Sequence, residues 1–127
     1  MANELICVDT SVFIAYFRTK DKASALLTDL AGQYDLAISV ITQYEILNGS
    51  NEHQELRWEA LFRTVKKLPF AEAEAREASN IYIELKSKGN LISVADILIA
   101  ATARANALKF ATLNQKHFAR IPGLVLV

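Results

Sequence analysis

Leu5-Ile6-Cys7-Val8-Asp9-Thr10-Ser11-Val12-Phe13-Ile14 is the stretch that decides the fold. Four strand-forming apolar residues run without a break and a polar triplet interrupts them. Apolar residues then resume through Tyr16 and Phe17 over a helical length. A strand that is apolar throughout, rather than alternating, is one covered on both faces, as in a parallel sheet. Outward from this unit, Leu36-Ala37-Ile38 makes a second strand, followed by a helix from Thr42 through Leu47 that ends near Asn48-Gly49. Phe110-Ala111-Thr112 and Leu124-Val125-Leu126 make the last two strands. Between these lie a helix over residues 22–32 with Gly32 as its stop, and a helix over residues 52–62 carrying Trp58. Residues 64–70 make a short strand that Pro69 assigns to an edge. A long helix over 71–86 turns Ala75, Ala78, Ile81, Tyr82 and Leu85 inward and closes at Lys88-Gly89-Asn90. The segment 94–107 is almost wholly apolar, which predicts a helix packed on most sides. Short strands alternating with helices predict an α/β protein: a three-layer α/β/α sandwich around a mainly parallel sheet of about five strands.

The chain has 127 residues, is 52% hydrophobic and carries only four glycines and two prolines, so a single domain over residues 1–127 is expected, with no linker. Fourteen basic and fourteen acidic residues cancel, so any grip on nucleic acid must be local. Cys7 is the only cysteine and lies inside an apolar run, where an inert buried thiol is expected rather than a nucleophile. Without a basic leader or a run of about 18 apolar residues, a soluble, unexported, cytoplasmic protein is expected, with no membrane partner.

Carboxylates that the pattern would bury are the informative ones, because a desolvated charge must be paired, protonated or bound to a cation. Asp9 ends the first strand, Glu45 sits between Tyr44 and Ile46-Leu47, and Asp96 interrupts the most apolar helix. Glu52, Glu55, Glu72, Glu74 and Glu77 lie in polar stretches and read as a solvated helix face. Capping is the competing role for the three: Thr42 to Glu45 and Ser93 to Asp96 both fit a capping box, and Asp9 fits an N-cap. In a parallel sheet the carboxyl ends of strands and the adjoining helix starts share one ligand-binding edge, which favours Asp9 and Glu45. For Asp96 the pattern offers no such edge. Converging acids would call for a cation, and oxygen-only donors select magnesium or manganese over zinc, since Cys7, His53 and His117 lack zinc-site spacing. Metal-assisted phosphodiester hydrolysis is the chemistry such a site supports.

Four pieces together resemble the PIN-domain family, and within it the VapC-type toxins: Val8-Asp9-Thr10-Ser11-Val12, Ser39 through Ile46, Asp96 through Ala103, and Thr112-Leu113-Asn114-Gln115-Lys116-His117-Phe118. The resemblance implies a PIN-like α/β/α fold, a Mg2+- or Mn2+-dependent ribonuclease acting on RNA, a homodimer, and a cognate antitoxin inserting a peptide beside the acidic pocket. It also implies that Asp9 and Asp96 are the principal metal ligands, with Glu45 completing the acidic cluster and Thr10 or Ser11 hydrogen-bonding within it. Asn114 stands where many relatives carry a fourth acid. Coordination through its amide oxygen and a plain turn role are equally compatible with that position. His117 reads as a helix-end or core histidine. Of the basic residues, Arg18, Lys20, Lys22, Lys86, Lys88, Lys116 and Arg120 are candidate phosphate contacts, although solvation accounts for most of them. Tyr16, Phe13, Phe17 and Trp58 read as core or interface rather than as base-stacking platforms. Two rivals are a haloacid-dehalogenase-like phosphatase, which needs a second aspartate where Ser11 stands, and a catalytically weak PIN domain that only binds RNA or antitoxin.

Overall fold

The structure is a computed structural model that describes residues 3–127. Strand β1 (Leu5–Val8) leads into helix α1 (Thr10–Arg18), then a 3-10 turn (Lys22–Ser24) and α2 (Leu26–Gln33). Next come β2 (Asp35–Ser39), α3 (Val40–Asn48), α4 (Glu52–Phe62) and β3 (Lys66–Leu68). The chain finishes with α5 (Glu72–Ser87), α6 (Val94–Ala105), β4 (Lys109–Ala111) and the short α7 (Gln115–Phe118). Among the described residues the sheet has four strands in the order β3-β2-β1-β4, all parallel. Because the chain leaves β1 for β2 on one side and returns to β4 on the other, the order reverses at β1. Its carboxyl end is therefore the place where an open parallel sheet builds a ligand crevice.

β1 is apolar throughout because it is central. Ile6 and Val8 face one layer, with Ile38, Ala111, Val12, Phe13, Trp58 and Phe62 from the α1–α4 side. Cys7 faces the other, with Ala37, Phe110, Ile81, Leu85 and the α6 alanines. Cys7 is fully buried, and that burial, reinforced by the Asp9 charge, pushes its thiol up to about 12. This agrees with an inert thiol. Ala100, Ala101 and Ala103 have no exposure and bring α6 close to its neighbours, while Val94 at the start of the helix is largely exposed.

Several local expectations are corrected. Gly32 lies inside α2, which runs on to Gln33. Ala75 and Tyr82 are exposed, so α5 buries a narrower stripe of Ala78, Ile81 and Leu85. Glu74 is buried rather than solvated, because its carboxylate folds back to accept the Ala71 N–H at 2.8 Å. β3 does lie at the sheet edge, with Pro69 just beyond it. Leu124-Val125-Leu126 forms no full strand: it contributes a single bridge to Phe110, whose N–H donates to Val125 O at 2.8 Å.

Candidate active site at the carboxyl edge of the sheet

Asp9 follows the last residue of β1 and is only 4% exposed. It occupies the N-cap position of α1, yet its side chain makes no capping bond. Instead Oδ2 accepts from Ser11 Oγ at 2.7 Å and from Thr112 Oγ1 at 2.8 Å. Oδ1 has no hydrogen-bond partner among the described residues, and no side-chain oxygen or nitrogen there is both fully buried and unsatisfied. The carboxylate is therefore fixed through one oxygen and free through the other. Thr112, just past β4, extends this brace by accepting the Asn114 N–H at 2.9 Å, while Ser11 Oγ accepts the Leu113 N–H at 3.1 Å.

Neither of the two proposed capping boxes forms. β2 ends at Ser39, whose hydroxyl caps α3 by accepting the Thr42 N–H at 3.0 Å, so Thr42 lies within the helix and Glu45 in its second turn. Glu45 accepts from Thr10 Oγ1 at 2.7 Å, and Thr10 also approaches Thr42 Oγ1 at 3.1 Å. At α6, Ser93 caps by accepting the Asp96 N–H at 3.2 Å, which leaves the Asp96 carboxylate out of the cap. Asp96 has its pKa raised, first by burial and also by the Asp9 charge, against the opposing pull of Ser93 and His117. His117 Nδ1 lies 3.8 Å from Asp96 Oδ2 and 2.9 Å from Asn114 Nδ2. Asn114 thus serves as the residue preceding α7 without capping it.

Asp9, Thr10, Ser11 and Asn114 are therefore linked along one edge, Glu45 through Thr10 and Asp96 through His117 and the field of Asp9. They do not form a tight knot of acids: among the described residues no three His, Cys, Asp or Glu side chains gather closely enough to hold a metal by themselves. A magnesium ion does not require three, since it keeps most of its water and binds one or two carboxylates plus phosphate oxygens. Asp9 with one free oxygen and Asp96 within its field fit that donor set. The sequence had not singled out Thr112, Thr42 or Ser39 as site residues. For Ser39 and Thr112 the one local signal is a hydroxyl at or just beyond the last residue of a strand; Thr42, inside α3, has none.

A family model described as the PIN domain matches residues 6–124. The chain belongs to the PIN-domain family. It is 37% identical over 117 residues to Ribonuclease VapC1 of Methanocaldococcus jannaschii, covering 91% of this chain and 80% of that protein. Ribonuclease VapC10 of Mycobacterium tuberculosis is 33% identical over 114 residues, covering 90% of this chain and 86% of that protein. The fold also matches a crystal structure of VapBC2 from Rickettsia felis bound to a promoter DNA fragment. There the TM-score is 0.82 at 26% identity, over 97% of both chains. Within its family the chain groups with the VapC type.

Proposed function

We propose that this protein is a divalent-metal-dependent endoribonuclease, and that it serves as the toxin of a toxin–antitoxin pair, as a homodimer restrained by a cognate antitoxin. The observation that carries the catalytic half is Asp9: a carboxylate 4% exposed, released from capping, braced through one oxygen, and sharing its field with Asp96 rather than with a cationic side chain. Two like charges held out of water are tolerable when a cation joins them. Asp9 and Asp96 would hold Mg2+, or Mn2+ in its place, and the bound ion would supply Lewis-acid stabilisation of the phosphoryl charge and a more acidic water. Around it, Thr10 holds Glu45 through its hydroxyl, and Glu45 keeps one oxygen to accept a proton from the attacking water. Ser11 and Thr112 fix the Asp9 carboxylate against rotation, and Asn114 presents its amide oxygen because its Nδ2 is taken by His117. The names of the relatives, ribonucleases of VapC type and a VapBC assembly, support RNA as substrate and an antitoxin as partner.

The test is incubation of the purified chain with total RNA plus manganese or magnesium, with and without chelator, and with mapped ends. Cleavage that chelator abolishes and that leaves 5′-phosphates is the expected result. Inert protein, or metal-independent cleavage leaving 2′,3′-cyclic phosphates, would refute the proposal.

A further inference from the structure

A cleft of about 150 Å³ opens between α1 and α4, and Glu45 forms part of its wall. Its apolar lining comes from Ile14, Phe17, Ile46 and Trp58, and beside Glu45 its polar lining comes from Arg18, Ser50 and Gln54. Phe17 and Trp58 stack with centroids 3.6 Å apart at 29°, which fixes that wall. Ser50 donates to the Ile46 carbonyl at 2.6 Å, whereas Arg18 and Gln54 keep donors unspent. Arg18 is exposed and takes part in none of the ion pairs of the described residues. Gln54 is pinned at one end: its Oε1 accepts the Asn51 N–H at 3.1 Å and its own N–H donates to Asn51 Oδ1 at 2.9 Å. Its Nε2 has no protein partner among the described residues, so a pre-set donor lines the cleft with little rotamer freedom left to lose on binding.

We propose that this cleft is a base-recognition subsite. It receives the base of a nucleotide flanking the scissile phosphate, Gln54 Nε2 donates to an acceptor on the edge of that base, and Arg18 pairs with the phosphate of the same nucleotide. This rests on the ribonuclease reading above and extends it. Glu45 belongs both to the acidic edge and to the cleft, so a strand cut at that edge passes the cleft. A rigid apolar wall facing a fixed amide donor matches a planar ring with edge acceptors, and a free guanidinium offsets the repulsion that Glu45 imposes on a polyanion.

Trp58 is the only tryptophan, so its emission reports on this cleft. The experiment titrates the full chain carrying Asp9→Asn with four short oligoribonucleotides that differ in one base, following Trp58 fluorescence. It also maps cut sites made by the chain with Asp9 intact. One oligonucleotide is expected to perturb the emission and bind roughly 3–10-fold more tightly than the others. Gln54→Glu keeps the acceptor for the Asn51 N–H, and so the cap, but removes the donor: the preference should vanish and the cut-site consensus lose one position, with an unchanged melting temperature. Arg18→Gln should weaken all four alike and lower the salt dependence by about one counter-ion. Cleavage with the same consensus in Gln54→Glu and equal binding of all four oligonucleotides would overturn this inference alone, leaving the cleft to a protein partner. No cleavage by the unsubstituted chain with magnesium would overturn the ribonuclease proposal and this subsite with it.

Discussion

Two clusters of charge among the described residues are drawn back from water, and they are handled in opposite ways. Between α5, α6 and the carboxyl-terminal segment, Arg104 is shared by Glu77 and Glu84 and also donates to the Pro122 carbonyl at 2.7 Å. Its side chain is only 15% exposed, burial works against its charge, and the two carboxylates it bonds hold its pKa up all the same. At the sheet edge Asp9 and Asp96 share a field of one sign, and the groups around them are hydroxyls, amides and a histidine. The first arrangement is complete as it stands and ties helices together. The second holds two acids without a paired cationic side chain, and in the function proposed above a cation from outside completes it, which would separate a structural charge cluster from a catalytic one.

That contrast breaks if the wrong cluster controls activity. Asp9→Asn should cut RNA cleavage by roughly a thousandfold or more while the far-ultraviolet circular dichroism stays native, because it removes the braced ligand and leaves the surrounding hydroxyls in place. Arg104→Ala should do the converse. Removing the shared cation strands Glu77 and Glu84 against one another. For partly exposed partners we expect a loss of about 2 kcal/mol, seen as a fall in melting temperature on the order of 5–10 °C, with unchanged cleavage per folded molecule. If Arg104→Ala abolished cleavage at a temperature where the variant is folded, the division into structural and catalytic charge would be wrong. Thr112→Val tests the brace itself: it deletes the donor to Asp9 Oδ2 and the acceptor for the Asn114 N–H while keeping the shape of the side chain. About 1–2 kcal/mol of stability and on the order of tenfold in activity should go, and urea melts with initial rates measure both.

How much of this was legible beforehand follows the range of the interactions. The β1–Asp9–α1 unit reads directly because the apolar run, the polar break and the helical spacing all lie within fourteen residues. The α6 helix reads from its composition alone. The start of α3 does not: Ser39-Val40-Ile41 continues a strand pattern as readily as it begins a helix. Only the Ser39 hydroxyl on the Thr42 N–H settles it. Gly32 punctuates nothing because an exposed glycine inside a helix costs only about 1 kcal/mol, which the packing of Leu27 and Leu30 outweighs. The sequence offered Asp9, Glu45 and Asp96 as acids in the wrong surroundings, a local property. That Thr112 would brace Asp9 depends on β4 lying parallel beside β1, a pairing between residues 103 positions apart that no local pattern encodes. The missing second aspartate of the phosphatase alternative acquires a physical meaning in the same way. Ser11, two residues after Asp9, is a hydrogen-bond donor to it and leaves that place without an acid.

The smallest effect is also the one that tells an uncompensated carboxylate from one satisfied within the fold. The pKa of Asp96 lies above its usual value of 3.8 in the folded chain, so the fold holds that proton more tightly than the unfolded chain does. Stability therefore falls as pH rises from 3.8 through the raised value, and the deficit persists at neutral pH, where Asp96 is charged in both states. Asp96→Asn should accordingly raise the melting temperature by a few degrees at neutral pH without divalent ions, and the advantage should disappear near pH 3, where the aspartate is neutral anyway. Magnesium should then stabilise the chain that keeps Asp96 more than it stabilises Asp96→Asn, narrowing or reversing the gap, because the variant offers the cation one carboxylate where the parent offers two. A variant less stable than its parent at neutral pH without metal would mean that Ser93 and His117 already satisfy Asp96. The sheet edge would then resemble the Arg104 cluster, with its charge compensated from within.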